Sequence, residues 1–242
     1  MYDIPEGAGV SRGLKPSLAS VWCSPSWSSE LPARLNDAFR GSLPADGAAL
    51  LFAADASRLS LHAVCASPGL PVRIEDSQEM LGEGPALVAF RSRRPVLVHQ
   101  LGSPDERWQA FSGEVSTDRE SAMYAFPLEV GTVRVGVLDL YRVRSRIPTA
   151  NDIAAAVAAS AIVAGGLLDA IESGTAVDDL GPWSDPRGRF MAMRRATTAI
   201  SAQLGVGTEE ASLRLRAHAF RTGCSLSVAV ADAASGRLRL DR

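Results

Sequence analysis

Residues 153–168 read IAAAVAASAIVAGGLL, sixteen positions without a charge, closed off by Asp152 and Asp169. No other stretch constrains the fold as much. A bilayer core takes about 20 apolar residues to span, so this run is too short to cross one. A helix that is apolar on every side must instead be covered by protein. The helix predicted over 152–171 is therefore buried or faces a second copy of the chain. Its small side chains permit close helix–helix approach, and a homodimer is the expected assembly.

The chain before this run reads as alternating short helices and strands. Residues 31–39 place Leu31, Leu35, Ala38 and Phe39 at helical spacing. Two strand-like runs follow, 48–54 and 59–66, joined by a loop with Asp55, Ser57 and Arg58. Residues 69–80 show no period and read as irregular. Gly82-Glu83-Gly84-Pro85 then punctuates the chain, and Pro85 suits the first turn of a helix over 86–92. A short strand is expected at 95–99, a helical turn at 105–111, and two strands at 122–128 and 134–141 around Gly131. In the last strand Val133, Val135 and Val137 alternate, while Leu138 and Leu140 fall one step out of phase. No crossover long enough for a parallel pair joins neighbouring strands. The class is α+β, an antiparallel sheet flanked by helices.

The flanks differ in kind. Residues 1–30 carry Pro5, Pro16, Pro25 and many Gly and Ser, and read as a mobile arm. The α+β domain covers 31–171. Residues 172–188 break all periodicity with Gly174, Gly181, Pro182 and Pro186, and read as a linker. An all-α three-helix bundle is expected over 189–242. Its first helix, 189–204, sets Met193, Ala196, Ile200 and Leu204 on one face and stops at Gly205. The second is expected to start at an N-cap Thr208, with Glu209 and Glu210 in its first turn and Ala211, Leu215 and Ala219 as core stripe. Phe220 is expected in the core as well. Ser225 can cap a third helix that ends near Gly236.

Charge follows the same division. The 242-residue chain carries a net −2, yet from Arg187 onward ten arginines face four acids, a balance of +6 that leaves −8 on the first 186 residues. A basic segment on an acidic body points to a nucleic-acid partner. The plainer alternative is that arginine serves as the surface cation in a chain whose one lysine is Lys15. Cys23, Cys65 and Cys224 are odd in number and lack metal or disulfide spacing, which suits a reducing cytoplasm. The N-terminal twenty residues lack the basic start and apolar core of a secretory signal.

Several strings then carry a resemblance. LGEGPALVAFRSRRPVLV (81–98), DERWQAF (105–111), AFPLEV (125–130) and VGVLDLYR (135–142), in this order of elements, resemble a GAF domain. RRATTAISAQLGV (194–206) and SLRLRAHAFRTGCSLS (212–227) resemble an ANTAR domain. Together the chain is similar to the actinobacterial GAF–ANTAR regulators. The resemblance implies a dimeric transcription antiterminator. Its ANTAR part would bind paired hairpins in a leader RNA, and its GAF part would sense a small molecule or mediate dimerisation. There are departures. Thr198 stands where the ANTAR family usually has glycine, Val228-Ala229-Val230 is apolar where the family carries a charge, and Ala86 stands where GAF relatives often have cysteine.

For RNA contact the expected residues are Arg194, Arg195 and Thr198 on the first bundle helix, then Arg214, His218 and Arg221 at i, i+4, i+7 on the second, opposite its core stripe. Thr222 and Ser225 lie at the turn into the third helix, where hydroxyls and a helix N-terminus can meet phosphate. A GAF ligand would be lined by His62, His99, Arg107, Trp108 and Tyr124. Each of the two histidines and the tryptophan also suits an ordinary core or surface role. No catalytic residue, metal site or cofactor is expected. Glu83 with Glu75 or Asp76 is a loose acidic group without defined spacing, and no GxSxG, HExxH or phosphate-cradling loop is present. GAF-like methionine sulfoxide reductases use several cysteines, and Cys65 is alone on its strand. A DNA-binding regulator and a protein-interaction module are the competing functions. Against DNA, Glu209 and Glu210 at the head of the second helix would repel phosphate.

Overall fold

The computed structural model describes residues 34, 37–38, 45–55, 60–116, 118, 120–172 and 186–240. The expected arm, the loop at 56–59 and most of the expected linker lie outside the described residues. Of the helix expected at 31–39, Arg34, Asp37 and Ala38 are described and helical.

Five strands form one antiparallel sheet: β1 (Gly47–Asp55), β2 (Ser60–Ala66), β3 (Val96–Val98), β4 (Ala122–Val130) and β5 (Val133–Arg142), in spatial order β2-β1-β5-β4-β3. Alternation along the strands sorts side chains to two faces. Leu50, Tyr124, Phe126, Leu138 and Leu140 share one core; Leu51, Met123, Val137 and Tyr141 share the other. The phase slip in β5 is thereby explained. The strand is covered on both faces, so apolar residues occupy odd and even positions alike.

The uncharged run forms α4 (Ala150–Glu172 in full extent) and lies on β4 and β5. Ala156, Ala159, Val163 and Ala164 are buried there. The alanines among them let the helix approach the sheet closely; the close helix–helix approach expected of its small residues is a matter for a second copy. The other face of the sheet is covered by α1 (Leu70–Leu81), α2 (Pro85–Ser92) and α3 (Gln109–Glu114).

Helix α1 corrects the irregular reading of 69–80. Pro71 occupies its first turn, Gly82 closes it in the left-handed conformation, and it buries Ile74, Glu75 and Gln78. Two of those three are polar, so an apolar period could not reveal the helix. Helix α3 starts after Trp108, four residues later than expected, because Trp108 is its N-cap.

Three helices follow among the described residues: α5 (Pro186–Leu204), α6 (Thr208–Thr222) and α7 (Leu226–Ala234). Ala196, Ile200, Leu204, Ala211, Leu215, Ala219, Leu226, Ala229 and Val230 form their core. Thr208 is not the N-cap of α6; Gly207 is, without a side-chain cap, and Thr208 is the first helical residue. Ser225 does cap α7, accepting from the Val228 amide. Phe220, expected in the core, is 58% exposed. It lies on the side of α6 away from the buried Ala211, Leu215 and Ala219, together with the exposed Leu213 and Ala217. The bundle is not separate from the sheet domain. It packs on α1, β1 and β2, and Met80 of α1 enters the bundle core.

Candidate functional site

Four polar side chains meet in the interior, between α1 and the central strand β5. Asp139 and Tyr141 rise from β5 on the face that α1 covers, and Glu75 and Gln78 descend from α1; all four are buried. Tyr141 Oη donates to Glu75 Oε1 in a short hydrogen bond. Gln78 Nε2 donates to Glu75 Oε2 at 2.9 Å and reaches Asp139 Oδ2 at 3.5 Å. At its other end Gln78 Oε1 accepts from the Ala86 amide at 2.8 Å. One amide therefore joins the acidic pair to the N-terminus of α2, which has no side-chain cap of its own. Gly84 makes this possible: with φ at +141°, a Cβ there would stand 2.6 Å from Gln78 Oε1.

Two carboxyls buried together cannot both be charged cheaply. Desolvation pushes Glu75 up to about 7, against the pull of its hydrogen bonds from Asp139, Tyr141 and Gln78. Desolvation and the charge of Glu75 raise Asp139 well above the usual carboxylate range, and Tyr141 is raised by burial and the same neighbours. The pair thus retains a proton near neutrality. Asp139 Oδ1 has no hydrogen-bond partner.

Beside this cluster lies a cavity of about 20 Å³, bounded by Leu51, Leu61, Leu87, Glu75, Gln78 and Arg216. That is room for about one water molecule. Arg216 comes from α6, and its Nε donates to the Glu79 carbonyl at 3.2 Å. Its guanidinium lies over Gly82, within 3.4 Å of where a Cβ would stand. Burial lowers its pKa. The bundle therefore closes the sheet domain's cavity with a charged side chain.

A second concavity, an open groove of about 500 Å³, runs beside β3 and includes His99, Arg107 and Trp108. Three of the five residues expected to line a ligand are thus brought together. Arg107 is already engaged, with Nε and Nη2 at 2.9 and 2.7 Å from the Asp105 carboxylate and its guanidinium 4.2 Å above the Trp108 ring. That pairing lowers the Asp105 pKa and raises that of Arg107. Trp108 itself is buried. Tyr124 does not border the groove; it stands edge-on to His99 at 5.9 Å and donates to the Arg146 carbonyl. His62 lies on β2, and its side chain is outside the described residues.

A family model described as GAF domain matches residues 33–167, more than half of the chain. The chain belongs to the GAF domain family. The sheet order, the α4 layer and the α1–α3 layer are this domain, and α5–α7 follow it. Among solved structures, the GAF domain of a phosphoenolpyruvate-protein phosphotransferase from Coxiella burnetii is similar at a TM-score of 0.50 and 14% identity, covering 67% of this chain and 96% of that one. The corresponding Acinetobacter domain gives 0.49 and 12%, covering 67% and 94%. A free methionine-R-sulfoxide reductase from Neisseria meningitidis gives 0.47 and 16%, covering 66% and 89%. No curated protein matches the chain.

C-terminal to the GAF domain, the residues expected to meet RNA are placed unevenly. Arg194, Arg195 and Thr198 are exposed on α5. Thr197, not Thr198, is the buried threonine, donating to the carbonyls of Met193 and Arg194. On α6, Arg221 is exposed, Arg214 is half-buried in an ion pair with Glu210 at 2.7 Å, and His218 is half-buried with Nδ1 unpartnered. These three flank the core stripe and do not stand opposite it. The position opposite is held by Leu213, Ala217 and Phe220, all exposed. The Thr222 hydroxyl donates to the His218 carbonyl, and the Ser225 hydroxyl oxygen caps α7. Of the apolar triplet, Ala229 and Val230 are buried and Val228 is 51% exposed. The loose acidic group expected around Glu83 resolves into two structural roles. Glu83 accepts from the Phe111 amide at the head of α3, and Glu75 belongs to the interior cluster.

Asp139, Tyr141, Gln78 and Arg216 were not among the expected site residues. Asp139 did leave a signal: it lies between Val137 and Tyr141 at period 2, both in the core that α1 covers, where an apolar residue would be expected. Arg216 left none, since only the packing of two domains gives it a role.

Proposed function

We propose that this chain is a signal-responsive RNA-binding regulator, a transcription antiterminator that acts as a homodimer in the cytoplasm. The GAF domain receives a small-molecule signal, and the C-terminal bundle binds paired hairpins in a leader transcript. The chain works by binding, without catalysis. The observation that carries this reading is Arg216. A residue of the basic bundle closes a cavity of the sensor domain, so any ligand that enlarges the cavity must disturb α6. The ANTAR resemblance of 194–227 and the +6 charge from Arg187 onward supply the RNA half of the reading.

The test is a gel-shift titration of the full chain against a two-hairpin RNA, a single hairpin and a duplex DNA. Preference for the two-hairpin RNA, with log affinity falling linearly in log salt, is the expected result. Reversal of charge at Arg214 and Arg221 should abolish it. Preference for duplex DNA, or indifference to the reversal, would overturn the RNA half.

A further inference from the structure

Helix α6 turns an apolar side to solvent. Leu213 and Phe220 lie seven residues apart with Ala217 between them, on the side away from Ala211, Leu215 and Ala219. Both large side chains are 58% exposed. Phe220 is not part of the bundle core, which is complete without it. Next to it in the last turn of α6 stands Arg221, exposed and without a hydrogen bond or ion pair among the described residues. Directly beyond lie Gly223, in the left-handed conformation, and the capped N-terminus of α7.

An exposed ring with an unpaired guanidinium beside it, on a segment of net charge +6, supplies the parts of a site for single-stranded nucleic acid. The ring offers a face to any unpaired base and the arginine meets the adjoining phosphate. Charge decides against the other occupants of an apolar stripe. A second copy on this face would set two +6 segments against each other. A polyanion would instead neutralise them.

We propose that Phe220 is a stacking platform for an unpaired base in an RNA hairpin loop, with Arg221 on the neighbouring phosphate. This rests on the RNA-binding reading above and adds to it the part of the RNA that is read.

The probe is a two-hairpin RNA carrying 2-aminopurine in each loop, titrated with the full chain. Binding of the unaltered chain should quench the fluorophore. Phe220→Ala should weaken binding about 5-fold or more and remove the quench, whereas Phe220→Trp should keep both. Because the ring is exposed, the Ala variant should melt like the parent. Unchanged affinity and quench in Phe220→Ala, with binding lost on charge reversal at Arg214 and Arg221, would overturn the stacking site and leave RNA binding standing. Absence of RNA binding by the parent chain would overturn both. Conversion of a dimer to a monomer by Phe220→Ala, read by light scattering, would make the stripe a contact between copies and also overturn the proposal.

Discussion

Arg216 on α6 donates to the backbone carbonyl of Glu79, 137 positions earlier in the chain. Glu79 lies in the last turn of α1, where helical carbonyls have no partner within the helix. Helix α1 has no basic residue of its own in that turn. The C-terminal bundle therefore supplies the cation that the end of a helix favours, and it shares one helix terminus with the GAF domain.

Replacing Arg216 by alanine removes a charge-assisted hydrogen bond, worth about 1.5–3 kcal/mol, partly offset by the relieved cost of burying the guanidinium. A loss of about 1.5 kcal/mol is expected, which lowers the melting temperature by roughly 3–6 °C in a chain of this size. Hydrogen exchange should quicken in α6 and in the last turn of α1. An unaltered melting temperature and exchange pattern would remove the coupling argument.

The buried acidic pair makes stability fall as pH rises. Glu75 titrates near 4.5 in the unfolded chain and near 7 in the fold. Between those values the native state holds a proton that the unfolded state has released, so raising the pH favours unfolding. The contribution is fully present below about 4.5 and gone above about 7, on the order of 3 kcal/mol in all. Urea denaturation at pH 5 and pH 8 measures it. Glu75→Gln should flatten the difference; an equal slope in parent and variant would assign the dependence to other groups.

Gly84→Ala should be costly despite its small size. The new methyl would meet Gln78 Oε1 at 2.6 Å, at a φ of +141° that side chains rarely adopt. Moving Gln78 breaks its bonds to the Ala86 amide and Glu75 together. A loss of about 2–4 kcal/mol is expected from calorimetry. The neighbouring exposed Gly113, with nothing within 4 Å, is the control.

Glu210 restrains Arg214 through their ion pair. If the bundle binds RNA, Glu210→Gln releases that guanidinium and removes a negative charge. Affinity should rise several-fold at low salt, and the salt slope should steepen by about one unit. Weaker binding in this variant would place Glu210 itself in contact with the RNA.

How far the sequence revealed all this depended on whether burial was apolar. The strands, α2, α4 and the bundle stripe announced themselves because their inward residues are Val, Leu, Ile and Ala at period 2 or 3.6. Helix α1 did not, because Glu75 and Gln78 occupy inward positions. The polar cluster escaped for the same reason: its members lie on two elements, and only the sheet register sets Asp139 beneath α1. Phe220 misled in the other direction. A large apolar residue near a core stripe reads as core, yet α6 is rotated so that Ala219 alone faces inward there. His99, Arg107 and Trp108 were close enough in sequence to be grouped, and they share a groove; Tyr124, on the next strand, points to the opposite core.

The sheet order has a consequence for the chain during its synthesis. β1 pairs with β5 along its inner side, Gly47 opposite Tyr141. About 90 residues separate these partners, and at ribosomal speed β1 waits roughly 5–20 s for β5. Through that interval it holds a partner on one side alone, and its other edge is open to foreign strands. Glu75 and Gln78 remain hydrated meanwhile, since the residues that bury them, Asp139 and Tyr141, arrive with β5. The buried proton is therefore acquired late, at the moment the nascent sheet closes. Only then does a finished surface await the bundle that emerges after it.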